Sequence, residues 1–253
     1  MNIEIIREQF RKLRLPAAAA VLEEIITKKS RSQDLPWLCE LLEYELDARK
    51  ESAIQRRIKN ASFPELTSLE LFNWQFNPKI PKEKIMSLWS LDFVKRNEIA
   101  LFLGNPGTGK THCAIAIGAR AAQAGYSVYC TSVKNLSRKI ILAKQKNMMD
   151  QLFRRILNCR LWILDDWGVI SMNRDVSEEV FDLLDKRKHS SAMILTSNRD
   201  IEEWPQVFSE PVLANAAIDR MFEHASISIF QGESFRMKGR IQVKSIDNEF
   251  NEE

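Results

Sequence analysis

The feature that most constrains this chain is a glycine-rich segment, residues 104–111, with the sequence GNPGTGKT. It matches the pattern G-x-x-x-x-G-K-[ST] without a mismatch, and it stands between a short apolar run and a helical pattern. Glycines let successive backbone N–H groups wrap phosphates, and a helix N-terminus adds its positive end. A chance glycine turn is the alternative. We predict a phosphate-binding loop made of Gly104, Asn105, Pro106, Gly107, Thr108, Gly109, Lys110 and Thr111.

Within this loop, two side chains have predicted roles of their own. Lys110 is expected to bridge the β- and γ-phosphates of a nucleotide, and the Thr111 hydroxyl to ligate Mg²⁺.

A pair of acids follows the buried-strand pattern LWIL. Ligands of open α/β sheets bind at the carboxyl ends of the strands, where this pair stands. We predict that Asp165 holds Mg²⁺ through water and that Asp166 polarises the attacking water. Acids that follow strands also cap helices, which is the alternative.

Two later segments add further candidates. In ILTSN, Asn198 can orient the lytic water, with Thr196 as a competing candidate and an ordinary turn as the alternative. Asp219 and Arg220 end an apolar helix before the last strand, and an arginine there can stabilise phosphoryl-transfer charge from a neighbouring subunit. On spacing alone, a surface ion pair is the favoured interpretation of Arg220.

The chain has two parts with different periodicities. Residues 1–64 are helical almost throughout and form a predicted N-terminal domain, with Asp34 as a helix cap. Residues 65–253 form a second domain in which strands alternate with helices from residue 98, which predicts a parallel sheet covered on both faces. Between them, residues 60–81 hold three prolines and the aromatic segment LFNWQF, typical of a junction running over an apolar surface.

Charge is unevenly distributed. Residues 132–160 contain eight bases and one acid, +7, whereas the remaining 29 bases and 33 acids sum to −4. This pattern indicates a polyanion-binding face, although a solvated helical surface is the simpler alternative. In its first helix Lys134 and Arg138 share one face beside Lys139, and we expect residues 140–142 (Ile140, Ile141 and Leu142) to supply the buried side.

Composition disfavours other classes. The four cysteines form no CxxC pair, three histidines make a structural metal site improbable, and no apolar run reaches the length of a membrane span. The N-terminus lacks a signal-peptide core, so a cytoplasmic location without a membrane partner is expected.

Taken in order, these motifs resemble the AAA+ ATPases, and more closely the IstB-like transposition helper proteins, which are similar to DnaC-type helicase loaders. The likeness covers nearly the whole chain. The segments that carry it are LRLPAAAAVLEE, GNPGTGKTH, LWILDDWG, ILTSNRDIEEW and AAIDRMFEHASISIFQGESFRMKGR.

The resemblance implies an α/β fold: an AAA+ P-loop NTPase core with a parallel sheet flanked by helices, preceded by a small all-α domain. It implies cofactors ATP and Mg²⁺, with His112 extending the phosphate loop and LFNWQF near the adenine. Because only residues 231–253 follow Phe230, we expect no C-terminal lid, with Arg236 as a partial substitute for its sensor arginine.

The same resemblance implies an ATP-dependent, DNA-binding regulator of an insertion-sequence transposase with weak ATPase activity. Subunits would assemble on double-stranded DNA with ATP sites between them and Arg220 acting in trans. The N-terminal domain would bind DNA and pair subunits. The DNA-binding residues would be Lys134, Arg138, Lys139, Lys144, Arg154 and Arg155.

Three alternatives remain from the sequence. A replicative helicase loader would share the same core, a metabolite kinase would transfer phosphate to a small molecule, and an inactive clamp would use ATP only to join subunits.

Overall fold

The structure is a computed structural model, and it describes residues 3–28 and 36–238. The chain divides into two compact units, Met1–Arg57 and Ile58–Glu253. The predicted cap Asp34, and the last two residues of the segment GESFRMKGR, lie outside the described residues.

Three helices make the first unit: α1 (Ile3–Lys12), α2 (Pro16–Lys28) and α3 (Pro36–Ala61), the last of which crosses the division. Its apolar cluster consists of Ala18, Leu22, Ile25 and Leu41. Pro16 begins α2, where a missing backbone N–H costs nothing because the first amides of a helix have no intrahelical acceptor.

Glu45 holds α2 and α3 together inside this unit. Its side chain is only 2% exposed. One carboxylate oxygen accepts hydrogen bonds from the amides of Ala17 (2.7 Å) and Ala18 (3.0 Å), and the other accepts from Arg49 Nε (2.7 Å). A buried carboxylate is thereby satisfied, and it serves as the N-terminal cap of a neighbouring helix.

The second unit alternates strands and helices. Its strands are β1 (Ile99–Gly104), β2 (Val128–Ser132), β3 (Leu161–Trp167), β4 (Ala192–Ser197) and β5 (Ala225–Phe230). Its helices are α4 (Lys82–Trp89), α5 (Asp92–Arg96), α6 (Lys110–Gln123), α7 (Val133–Gln145), α8 (Met149–Leu157), α9 (Arg174–Arg187) and α10 (Pro211–Phe222), with 3-10 helices at Ile201–Val207 and Phe235–Met237. The sequence analysis did not predict α4, α5 or the 3-10 helices.

The five strands form one sheet in the order β2-β3-β4-β1-β5, and all pairs are parallel. Alternate residues of β1 enter two cores: Ala100 and Phe102 pack with α4, α5 and α6, whereas Leu101 and Leu103 pack with α7 to α10. The predicted parallel sheet with helices on both faces is confirmed.

Residues that follow the division already belong to this sheet domain. Ala61 is buried in the first of its two cores, and Ile58 and Phe63 pack against the same cluster. The chain therefore enters the sheet domain before the aromatic junction begins. Among the described residues, no helix is long and apolar enough to cross a membrane.

A prediction concerns Glu45. Replacing it with alanine removes the acceptor for two helix-start amides, at a cost of about 1–2 kcal/mol. We expect peptides covering α2 to exchange backbone hydrogens about tenfold faster in hydrogen–deuterium exchange of the full chain. Glu45→Gln keeps an acceptor oxygen and should lose less, while peptides covering α9 should not change. Equal protection in the alanine variant and the parent would show that this carboxylate does not stabilise α2.

Candidate functional site

The carboxyl ends of the central strands open onto a cavity of about 310 Å³. The loop after β1, the acid after β3 and the amide after β4 meet there, because parallel strands end at the same edge of the sheet. Its phosphate-loop side is formed by Gly107, Thr108, Gly109, Lys110, Thr111 and His112, and the predicted residues Asp166 and Asn198 also line it.

The loop from Gly104 to Gly109 turns back tightly before α6 begins. Gly107 and Gly109 have φ values of +78° and +102°, in the region that favours glycine, and Gly109 directly precedes α6. Lys110 is 5% exposed, and its Nζ donates to the carbonyl oxygens of Gly104 (2.7 Å) and Asn105 (2.6 Å). The loop thus folds around its own lysine.

Asp165 is the centre of a hydrogen-bond network behind this loop. Its Oδ1 accepts from the hydroxyl of Thr111 on α6 (2.8 Å) and from the hydroxyl of Thr196 on β4 (2.6 Å). Thr196 is almost fully buried and does not line the cavity. We therefore assign Thr196 as a positioning residue for Asp165, while Asn198 reaches the cavity.

Asp166 is turned into the cavity by an irregularity in its strand. The β3–β4 register shifts between Leu164 and Trp167, and Asp166 has φ +58°, an uncommon conformation for a residue with a side chain. Its amide donates to Thr196 Oγ1 (3.1 Å), which holds the shifted backbone. The two acids therefore have different environments, one bound to hydroxyls and one facing the cavity.

Burial and neighbouring charges shift two pKa values here. Burial lowers the pKa of Lys110 to about 8; Asp166 and Asp165 oppose this effect, and Arg236 adds to it. Burial also raises the pKa of Asp166, followed by the charge of Asp165, while Arg236 and Lys110 act in the opposite direction. The ammonium and the carboxylate thus sit where an anionic ligand would reinforce the first and a base is favoured at the second.

Aromatic side chains close the other end of the cavity. Leu71, Phe72, Phe76 and Ile80 come from the junction and Phe235 from the segment after β5. Phe76 and Phe235 meet edge to face with ring centroids 5.1 Å apart. The junction was predicted near the adenine, and an apolar end opposite a phosphate loop suits a flat base.

Residues 232–236, which we call the strap, cross the phosphate loop. The Asn77 side chain donates to Glu233 O (2.9 Å) and accepts from Glu233 N (3.0 Å), and the Phe235 amide donates to Gly107 O (2.9 Å). Arg236 then lines the cavity. Sequence reasoning missed Asn77, since nothing local marks an asparagine whose partner is 156 residues away.

The residues present fit a magnesium ion. Thr111 Oγ1 and Asp165 Oδ1 are 2.8 Å apart beside the phosphate loop, and both are the hard oxygen donors that Mg²⁺ selects.

Arg220 lies at the opposite edge of the sheet. It is near the C-terminal end of α10, and it lines a second cavity together with the first residues of β1 and β4. Its Nε donates to Asp185 on α9 (2.9 Å) and Nη1 to Asp219 (3.1 Å). The ion pair that spacing favoured is present, and Arg220 is absent from the lining of the phosphate-loop cavity.

The basic segment divides into held and free side chains. Lys139 and Arg155 lie over the Tyr129 ring, 5.1 and 4.5 Å from its centroid, and Lys144 pairs with Glu179 at 2.9 Å. In the part of the chain that the structure describes, the remaining predicted DNA-binding bases are exposed without an ion pair or hydrogen bond; these are Lys134, Arg138 and Arg154.

The predicted buried side of α7 is wrong in part. Ile140 is fully buried, but Ile141 and Leu142 are 43% and 52% exposed. Successive helical residues lie about 100° apart, so three in a row cannot share one face. The buried stripe is instead Val133, Leu136, Ser137, Ile140 and Ala143.

Solved structures with this architecture belong to the AAA+ P-loop class. The DnaC helicase loader superposes with a TM-score of 0.53 at 18% identity, over 69% of this chain and 99% of that one. AMPPCP-bound DnaA from Aquifex aeolicus gives 0.54 at 21% identity, over 69% of this chain but only 53% of DnaA. These likenesses establish an AAA+ P-loop fold.

Within that class, the chain belongs to the family described as IstB-like ATP binding protein, which matches residues 8–243. A protein of insertion sequence IS21 from Pseudomonas aeruginosa, named for ATP binding, is 35% identical over 87% of this chain and 82% of its own length. The corresponding protein of insertion sequence IS5376 from Geobacillus stearothermophilus is 31% identical, over 93% of this chain and 94% of its own length.

The lowered pKa of Lys110 makes nucleotide binding pH-dependent. Phosphates bind the protonated amine, so above the free-site pKa of about 8 each bound nucleotide must recover a proton. We expect ATP affinity to be flat from neutral pH to about 8 and then to fall by about tenfold per pH unit. Equilibrium binding of a fluorescent ATP analogue across this range measures it. Lys110→Ala should bind weakly at every pH without the break, and a parent curve that stays flat above pH 8 would contradict the assignment.

Proposed function

We propose that this protein is an ATP-dependent, DNA-binding regulator that assembles on target DNA and recruits or stimulates the transposase of its insertion sequence. Support comes from the family match and from relatives whose names place them in insertion sequences. The observation that carries the proposal is the separation of Arg220 from the phosphate-loop cavity, which leaves each ATP site to be completed by a neighbouring subunit.

The separation follows from the parallel sheet. The phosphate loop follows the carboxyl end of β1, whereas Arg220 lies just before the amino end of β5, the strand beside it. In a head-to-tail assembly the Arg220 edge of one subunit faces the cavity of the next. Arg220 then exchanges Asp185 for the phosphates of the neighbour's ATP, where it stabilises transition-state charge.

Hydrolysis proceeds through this chain's own groups. Lys110 and the loop amides bind the β- and γ-phosphates, and Asp166 accepts a hydrogen bond from the attacking water. Asn198 fixes the direction of that water. Thr111 and Asp165 hold Mg²⁺, which when bound neutralises phosphate charge.

Arg236 adds a second cation in the same subunit. It lines the cavity, and its charge acts on both Lys110 and Asp166. We assign it to the phosphates as a cation that the strap carries in place of a lid residue. The strap holds it through the double hydrogen bond of Asn77.

The free bases of α7 and α8 form the DNA face. Lys134 and Arg138 share one side of α7, and Arg154 follows on α8. Tyr129 orders the two held bases, so the free ones project from a fixed surface rather than a mobile loop. With no set of base-reading side chains evident, phosphate contacts would dominate and binding would be largely independent of sequence.

The helices of residues 1–64 are assigned to DNA binding and subunit pairing, with the ATPase domain in residues 65–253. A DnaC-type helicase loader is the alternative, because the two share the sheet domain. Stimulation of the cognate transposase by ATP-bound protein, and not of a replicative helicase, distinguishes them.

ATP turnover tests the shared site. Asp166→Asn should bind ATP but lose hydrolysis, since asparagine keeps the shape, tolerates the positive φ and cannot act as a base. Arg220→Ala should also be inactive. Mixed in equal amounts, the two should recover activity, because about one interface in four pairs an intact Asp166 with an intact Arg220.

This experiment is run with and without duplex DNA. In the parent, turnover per subunit should rise with protein concentration and with DNA that gathers subunits. Each variant mixed with the parent gives the matched control for co-assembly. Absence of rescue at every ratio, in mixtures shown to co-assemble, would remove Arg220 from the trans role, and parent-like turnover by Asp166→Asn would remove Asp166 from water activation.

The DNA face is tested by a salt titration of duplex binding with ATP present. Lys134→Ala with Arg138→Ala removes two phosphate contacts, so the log–log slope of affinity against salt should flatten by about 1.8. The loss should be the same on unrelated duplexes, with ATP binding intact.

The matched control removes one lysine and one arginine elsewhere on the same unit. Lys95 pairs with Asp92, and Arg120 lies over Trp89, both away from α7. Lys95→Ala with Arg120→Ala should leave the slope unchanged. Equal slopes for both double variants and the parent would place the DNA surface elsewhere, in the N-terminal helices.

A further inference from the structure

A second cavity, of about 370 Å³, lies at the amino edge of the sheet. It is formed where β1, β4 and β5 begin and where α9 and α10 end. Although the chain has only three histidines, two of them, His189 and His224, meet here beside Glu223.

The three side chains have the spacing of a metal site. One ligand atom from each lies within 4.8 Å of the others, and His189 Nε2 is 3.4 Å from Glu223 Oε1. Lys188 binds the other carboxylate oxygen, Oε2, at 2.6 Å. Oε1 is therefore available to a metal ion without breaking the lysine ion pair.

The local electrostatics favour a cation. Helices α9 and α10 both end here, with Lys188 and Glu223 as their C-caps, so the negative ends of two helix dipoles meet at the cluster. A hydrogen bond from Lys188 lowers the pKa of Glu223, which keeps it ionised. The nearby positive charge of Arg220 is neutralised by Asp185 and Asp219.

An independent observation points to a missing ligand. Ser191 is 6% exposed, and its Oγ is buried without a hydrogen-bond partner among the described residues; the same holds for Asn97 Oδ1. Both residues line this cavity. Buried polar atoms are nearly always paired, so this cavity is built for polar contents.

We propose that this cavity binds one divalent transition-metal ion of the zinc class through His189, Glu223 and His224. Two imidazoles and one carboxylate are a ligand set that Zn²⁺ takes in four-coordinate sites, with the fourth position open to water. Water in that position supplies hydrogen-bonding partners for Ser191 and Asn97.

Such an ion would join the ends of α9 and α10, the helices linked by the Arg220–Asp185 ion pair. Arg220 stands about one helical turn before Glu223, so an occupied site would fix the helix end that carries it. The metal site itself is independent of the proposed function, and its test uses neither nucleotide nor DNA.

The test is titration of the full-length, nucleotide-free protein with ZnCl₂ and, separately, CoCl₂. We expect one ion per chain by calorimetry, intense visible absorption from tetrahedral Co²⁺, and a zinc-dependent rise in melting temperature. His189→Ala with His224→Ala should abolish all three. His112→Ala, which removes the third histidine at the other cavity, and Cys39→Ser should bind as the parent does.

Glu223→Gln provides a second decisive variant, because it keeps the side-chain volume and an acceptor for Lys188. It should weaken zinc binding at least tenfold, and it decides the matter if circular dichroism shows the double histidine variant misfolded. The proposal is overturned by an absence of stoichiometric binding in the parent, or by parent-like binding in either the double variant or Glu223→Gln.

Discussion

The active edge of this molecule depends on one buried carboxylate. Asp165 Oδ1 accepts hydrogen bonds from Thr111 and Thr196, and so joins the phosphate-loop helix, β3 and β4. A buried carboxylate is costly unless it is hydrogen-bonded, which makes this arrangement strongly preferred over looser ones. Thr196 also accepts from the Asp166 amide, so the same network sets the turn that directs the second acid into the cavity.

The parallel sheet separates two kinds of chemistry by its two edges. The carboxyl edge collects the phosphate loop, the acids and Asn198, while the amino edge collects Arg220 with His189 and Glu223. A single chain cannot bring these edges together, because they are opposite ends of the same strands. A head-to-tail assembly can, and the fold itself thus favours sites shared between subunits.

The features that the sequence predicted well are those in which local signals agree. The phosphate loop, the strand ending in Asp165 and the alternation of strands and helices each combine hydrophobic pattern with turn residues. The parts that escaped prediction are long-range: Asn77 meets Glu233 across 156 residues, and two histidines meet only because α9 and α10 end together.

One error was local and has a physical cause. The run of Ile141 and Leu142 after Ile140 was taken for a buried side by its apolarity, without regard to helical period. The structure buries Leu136, Ile140 and Ala143 instead, three to four residues apart, and leaves the two others exposed beside the free bases.

The charges at the phosphate end explain why one subunit is insufficient. Lys110 and Arg236 face Asp165 and Asp166, so two cations balance two carboxylates before any nucleotide enters. In that state Lys110 is held by the carbonyls of its own loop, whose dipoles occupy the place of phosphate oxygens. A triphosphate exchanges these dipoles for full charges and leaves negative charge uncompensated within the chain, even with a bound magnesium ion. Charge that grows on the phosphates during transfer therefore requires a cation from outside, and the exposed edge that carries Arg220 is where a second copy supplies one.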